Sequence, residues 1–161
     1  MEMYHFVTRW VIPAPIELVW EEIVDAQSWP AWTPGFKKVQ LHGPAPVLEP
    51  DAVADCQVRG ALPYTLRFSF QVVGFQPPRL LEIRAWGDLV GTGKWDLEPH
   101  PQGTAGTYYW DVGTSRPILN LAAKLPFAKA MMARNHDEVM KDAHRGLVAR
   151  VQARRPAAGE G

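Results

Sequence analysis

Tyr64-Thr65-Leu66-Arg67-Phe68-Ser69-Phe70-Gln71-Val72-Val73 alternates large apolar side chains with polar ones at a period of two. Successive side chains of a strand point to opposite faces. The run therefore reads as a strand with Tyr64, Leu66, Phe68, Phe70 and Val72 on a core and Thr65, Arg67, Ser69 and Gln71 in water. A sheet with one wet face is an antiparallel one. Working outward, strand patterns recur at residues 37–42 and 52–59 before it, and at 80–86, 92–98 and 107–114 after it. Breakers stand between them: Gly43-Pro44-Ala45-Pro46, Glu49-Pro50-Asp51, Pro77-Pro78, Gly87-Asp88 and Pro101-Gln102-Gly103. Connections this short join antiparallel neighbours, so these strands form a meander.

The flanks add the rest of the fold. Residues 4–12 alternate Phe6, Thr8, Trp10 and Ile12 against His5, Val7, Arg9 and Val11, a further strand stopped by Pro13-Ala14-Pro15. Residues 15–24 open on a proline and place Ile16, Val19, Trp20 and Ile23 at helical spacing, and residues 25–34 carry Trp29-Pro30 and Trp32-Thr33-Pro34, a brief helix or turn. After Pro117 the pattern is helical from residue 118 to about 151, with Pro126 starting a new helix or kinking a continuous one. Met132, His136, Val139, Met140, Ala143, Leu147 and Val151 make its apolar stripe. About 25 residues at 1.5 Å each span ~38 Å, enough to cross a small domain. The expected fold class is α+β: a curved antiparallel sheet of about seven strands, two short helices and a long C-terminal helix whose stripe packs on the concave face and encloses a cavity. Residues 1–153 are expected to form one domain, with 154–161 a flexible tail lacking a core pattern.

Composition bounds the function. With 161 residues, 47% hydrophobic and 21% charged, the chain has the make-up of one globular domain. Lys plus Arg equals Asp plus Glu at 17 each, so no long-range field favours nucleic acid or an anionic bilayer. Cys56 is the only cysteine, which rules out an intramolecular disulfide and a thiolate metal cage, and no apolar run is long enough to span a membrane. Its start shows no basic segment followed by an apolar run, so a cytoplasmic location without stable membrane insertion is expected. Seven tryptophans are generous for this length, and large rigid rings make efficient walls for apolar or aromatic guests.

Ile12-Pro13-Ala14-Pro15 followed by Val19-Trp20 and Trp29-Pro30-Ala31-Trp32 resembles the opening of the START/Bet v 1-like (SRPBCC) superfamily, nearest its polyketide cyclase/dehydrase and lipid-transport branch. Trp110-Asp111-Val112-Gly113-Thr114, Asn135-His136-Asp137, Val139-Met140 and Gly146-Leu147 are similar to bacterial members of that branch. The likeness extends over residues 4–151. It implies a helix-grip fold with a deep cavity between sheet and helix. It leaves the chemistry open, because one fold hosts many functions.

Candidate residues follow from faces and residue types. His136 is the one histidine that periodicity places inward on the long helix, and a neutral imidazole there can serve as acid or base; the competing reading is a core histidine hydrogen-bonded to a strand backbone. Tyr64 is a second catalytic candidate, since aromatase/cyclase relatives use Arg and Tyr to orient carbonyls. Arg67 and Arg84 lie on the opposite parity from their apolar neighbours and should face solvent. Trp29, Trp32, Phe68, Phe70, Trp95, Trp110, Met132, Asn135, His136 and Met140 form the proposed ligand-binding lining, against the alternative that many of them simply fill the core. Gly91 and Gly93 share the inward parity of Trp95 and Leu97, marking a strand bend or a close ligand approach. No metal-type histidine pair and no glycine-rich phosphate loop occurs, so neither metal nor cofactor is expected. The function expected is binding or transport of a small hydrophobic ligand, a lipid, polyketide or aromatic metabolite, by a monomer or homodimer. The alternatives are a polyketide cyclase/dehydrase-type enzyme and a ligand-responsive regulatory module, the latter on the strength of the loop at residues 43–51.

Overall fold

In the computed structural model, which describes residues 3–59, 65–114 and 128–154, seven strands form one antiparallel sheet. They are β1 (Met3–Ile12), β2 (Phe36–Leu41), β3 (Val53–Val58), β4 (Leu66–Gln76), β5 (Leu80–Gly87), β6 (Leu89–His100) and β7 (Gly103–Thr114). The spatial order is β1-β7-β6-β5-β4-β3-β2, so β2 to β7 run as a meander and β1 returns to pair with β7. Among the described residues three α-helices accompany them: α1 (Ile16–Val24), the single turn α2 (Trp29–Trp32) and the long α3 (Ala128–Arg154), with a 3₁₀ turn over Ala26–Ser28 between the first two. This is the helix-grip α+β arrangement. Tyr64, the stretch 118–127 with Pro126, and residues 155–161 lie outside the described residues.

The expected parities place the core. Trp10 and Ile12 of β1, Phe68, Phe70 and Val72 of β4, Leu81, Ile83 and Ala85 of β5, and Trp95 and Leu97 of β6 are all buried on the concave face. Arg67 and Arg84 are exposed on the other. Several strands run further than their patterns suggest. His100 pairs with Gly103 across a turn of only Pro101 and Gln102, so the β6–β7 ladder continues to its end instead of stopping at Glu98 and Thr107. In β4 the register shifts between Val72 and Gly74, and that bulge turns Phe75 inward and carries the strand past the end of its alternation at Val73. A second irregularity between Phe36 and Lys38 bends β2. Gly91 has φ +154°, and a Cβ there would meet the Asp111 carbonyl oxygen at 1.9 Å, so only glycine fits that crossing of β6 over β7.

α3 is held unevenly along its length. Ala143, Leu147 and Val151, spaced one turn apart, are completely or almost completely buried. Gly146 lies so close to α2 that a Cβ would stand 2.0 Å from the Trp32 carbonyl oxygen. Glu22 on α1 is buried and accepts hydrogen bonds from Arg150 Nε and from Arg154 at 2.6 Å, while Arg154 also reaches Glu21 at 2.5 Å. Arg154 thus closes the helix. His144 Nε2 donates to the Val11 carbonyl at 3.0 Å and its ring stacks on Trp10. Further towards its start, from Met131 to Asp142, every side chain is exposed or half-buried. The tightly fixed C-terminal half holds the looser N-terminal half over the mouth of the sheet.

Candidate functional site

A cavity of about 140 Å³ lies between that looser half of α3 and the concave face. Its floor is aromatic. Phe68 and Phe70 of β4, Trp95 of β6, and Tyr108 and Trp110 of β7 present their rings to it, four of them in a chain of contacts: Trp95 to Tyr108 at 4.7 Å between centroids, Tyr108 to Trp110 at 6.0 Å, and Phe68 to Trp110 at 6.1 Å. Tyr4 and Phe6 of β1 close one side. Trp29 of α2 and Phe36 of β2 close the other, Trp29 stacking on Phe70 at 5.7 Å. The Trp29 indole nitrogen donates to the Ile23 carbonyl at 3.0 Å, so the ring's polar edge is satisfied and its face is free to be a wall. Met132, Asn135, His136, Val139 and Met140 of α3 form the roof.

Nine of the ten proposed lining residues surround this space. Trp32 does not. Three residues beyond Trp29 in a one-turn helix it points elsewhere, and it is buried beneath α3 where its own carbonyl meets Gly146. Its indole nitrogen has no hydrogen-bond partner. Sequence reasoning passed over Tyr4, Phe6, Phe36 and Tyr108. Phe6 and Tyr108 could have been found by parity, since they share the parity of Trp10 and Trp110 on the inward face. Phe36 begins a strand whose alternation the bulge disrupts, leaving no periodic signal. At Gly93 the missing side chain makes room for a neighbour, because a Cβ would lie 2.9 Å from the Trp110 ring. The ring from β7 thus fills the gap left in β6.

The lining among the described residues contains no Asp, Glu or Arg. Lys94 belongs to it, but its ammonium lies 4.8 Å over the Tyr109 ring, whose parity is outward. Burial in apolar surroundings raises the Tyr108 hydroxyl above the ordinary tyrosine range, keeping it protonated. The remaining polar groups of the described wall are the Tyr4 hydroxyl on β1 and the Asn135 and His136 side chains on α3.

His136 is the unusual one. Its side chain is 12% exposed, its ring lies parallel to Phe6 with centroids 4.0 Å apart, and both ring nitrogens are buried without a hydrogen-bond partner. The backbone partner that a plain core histidine would have is missing. Asp137 Oδ1 is 3.8 Å from Nδ1, beyond hydrogen-bond distance. Burial pushes the imidazole pKa below its usual 6.5, with the Asp137 carboxylate opposing in part, so the ring is neutral at physiological pH. Each unpaired buried polar atom costs on the order of 1–3 kcal/mol. His136 carries two of them at the wall of the cavity.

Other clusters lack such an arrangement. Ser69 Oγ donates to Asp55 Oδ1 at 2.5 Å and His42 Nε2 lies 2.9 Å from Asp55 Oδ2, on the exposed outer face. The carboxylate is the hub there, which holds the serine away from the histidine and leaves it without a base. Cys56 is buried, and desolvation pushes its thiol up to about 12, so no thiolate nucleophile forms. Among the described residues no group of three His, Cys, Asp or Glu side chains could hold a metal ion, and no helix is long and apolar enough to cross a membrane.

Comparison with known proteins agrees with this architecture. Residues 3–152 match the family described as polyketide cyclase / dehydrase and lipid transport. Among solved structures, the Zhui aromatase/cyclase of Streptomyces sp. R1128 superposes with a TM-score of 0.77 at 19% identity, covering 98% of this chain and 99% of that one. The protein TTHA0849 from Thermus thermophilus gives 0.69 at 15% identity, over 92% and 98% of the two chains. The di-domain ARO/CYC BexL from the BE-7585A biosynthetic pathway gives 0.65 at 21%, over 90% of this chain and 50% of that one. At these identities the likeness is one of fold. No curated protein shows significant sequence similarity to the chain.

Proposed function

The chain belongs to the polyketide cyclase/dehydrase and lipid-transport family, and from that premise we propose that it binds a small, compact hydrophobic ligand in the cavity beneath α3 and meets the ligand's polar group with His136. The observation that carries this reading is the imidazole with two buried, unpartnered nitrogens in a described wall whose other side chains, Lys94 and Asn135 apart, are aromatic or aliphatic. Size narrows the ligand. About 140 Å³ is close to the ~150 Å³ of an apolar protein cavity that takes up benzene, and well below the ~300–1,000 Å³ of pockets for drug-sized molecules. A one- or two-ring aromatic or partly cyclised compound suits that space better than a long acyl chain, which needs α3 to move.

Native mass spectrometry of protein isolated without denaturation tests the reading. It expects a retained small molecule of defined mass, or uptake of one from a metabolite extract. Protein that stays empty in the presence of the extract contradicts it.

A second reading, catalysis of the cyclase/dehydrase kind, is favoured by the neutral state of His136. An imidazole kept unprotonated by burial is a competent base towards an acidic C–H or O–H of a bound carbonyl compound. Conversion of the retained molecule on incubation, lost in His136→Leu, separates this reading from simple carriage.

A further inference from the structure

Resting on the binding reading above, the geometry points to a hydroxyl-bearing ligand: we propose that Asp137 is a positioning residue that holds His136, a residue of the cavity wall, in its Nδ1–H tautomer, which leaves Nε2 as the ring's hydrogen-bond acceptor and selects a ligand that donates. A neutral imidazole carries one N–H and one lone pair on divergent edges, so satisfying it requires an acceptor on one side and a donor on the other. The carboxylate that stands near the ring is that of Asp137. Its Oδ1 lies 3.8 Å from Nδ1, and its side chain is 80% exposed and so has room to close the remaining distance by rotating. A carboxylate facing a nitrogen favours the tautomer whose N–H points at it, because the opposite tautomer sets a lone pair against negative charge.

Nε2 is then the lone-pair atom, and it too is buried without a partner. The Phe6 ring, stacked 4.0 Å away and 10° from parallel, fixes the plane in which that lone pair lies and offers no hydrogen bond. Among the described residues nothing donates to it, so the donor is the ligand. The absence of Asp and Glu side chains from the described lining disfavours a cationic guest, and the Lys94 ammonium that could pair with an anion is drawn over the Tyr109 ring instead. Together these observations define the guest chemically: neutral, compact, aromatic or enolic, with an O–H at the end that meets α3. A carbonyl-only ligand leaves Nε2 unsatisfied and gains nothing from the histidine.

Two measurements on the intact protein test this. Nitrogen-15 NMR of the imidazole reads the tautomer directly; the expected spectrum has Nδ1 protonated and Nε2 unprotonated, and Asp137→Ala moves it towards the Nε2–H form that an isolated histidine prefers. A role for Asp137 in folding alone would not move that ratio. An Nε2–H spectrum in the wild type, or a tautomer unchanged in Asp137→Ala, overturns the assignment.

The second measurement compares Kd for 2-naphthol, its near-isostere 2-fluoronaphthalene and the acceptor-only 2-acetylnaphthalene, in wild type and in His136→Leu. The expected preference for naphthol over fluoronaphthalene is about tenfold greater in the wild type than in the variant, with no such gain for the ketone. Equal preferences in the two proteins, or a gain for the ketone, overturn the hydroxyl selection. If fluoronaphthalene still binds in that case, the apolar cavity reading stands. Failure of every probe to bind removes both.

Discussion

At the scale of single residues, the account turns on a histidine that is costly to the apo fold. Replacing His136 by Leu removes two unsatisfied polar atoms and keeps the bulk against Phe6, so the variant should be as stable as the wild type or more stable by about 1 kcal/mol, measured by urea unfolding. Its titration has a definite sign. The folded-state pKa is depressed below 6.5, so between the two values the unfolded chain binds more protons than the folded one. The contribution is intact above about 6.5 and lost as the pH falls towards the folded value, and that part of the pH dependence should vanish in His136→Leu. Lys94 and Tyr108, which share the cavity wall, are present in both proteins and cancel in the comparison. The inward position of His136 was legible from its spacing to Met132 and Met140. Its lack of a backbone partner was not, because hydrogen bonding depends on which carbonyls the sheet brings near, and helical periodicity carries no information about that.

At the scale of elements, α3 is a lever fixed at its C-terminal end. Glycine in a helix interior is ordinarily ~1 kcal/mol worse than alanine, so a Gly→Ala change there should stabilise. Gly146→Ala is expected to do the opposite, by about 3 kcal/mol, because its Cβ would stand 2.0 Å from the rigid Trp32 carbonyl oxygen and prise α3 from α2. A lower denaturant midpoint with an unchanged m-value would bear this out; a higher midpoint would show that the two helices have room to separate. The meander, the one-turn α2 and the stripe of α3 could be read from alternation, proline placement and helical spacing. Three features could not. The bulge at Val72/Gly74 leaves no trace in a pattern of period two, the Gly146–Trp32 contact joins residues over a hundred positions apart, and the pairing of Glu22 with Arg150 and Arg154 joins two helices far apart in the chain.

At the scale of the whole molecule, a curved sheet and a helix fixed at one end leave an apolar space that neither fills. Sequence could name most of its wall, but could not separate wall from plug: Trp32 and Trp29 have the same chemistry and lie one turn apart, yet Trp29 lines the cavity and Trp32 is buried in the core. Space in the cavity is set by small residues as much as by large ones. Gly93→Ala puts a methyl 2.9 Å from the Trp110 ring and should push the indole into the cavity, weakening uptake of a two-ring probe by about tenfold or more while leaving the fold intact, as titration calorimetry and circular dichroism would report. The central claim is most directly tested by titrating naphthalene into protein carrying carbon-13 methionine methyl groups. Met132 and Met140 line the cavity, whereas Met3 and Met131 are exposed at 40% and 56%. The account predicts saturable shifts of the Met132 and Met140 methyl signals with Met3 and Met131 unmoved; shifts confined to the exposed pair, or none at all, would contradict it.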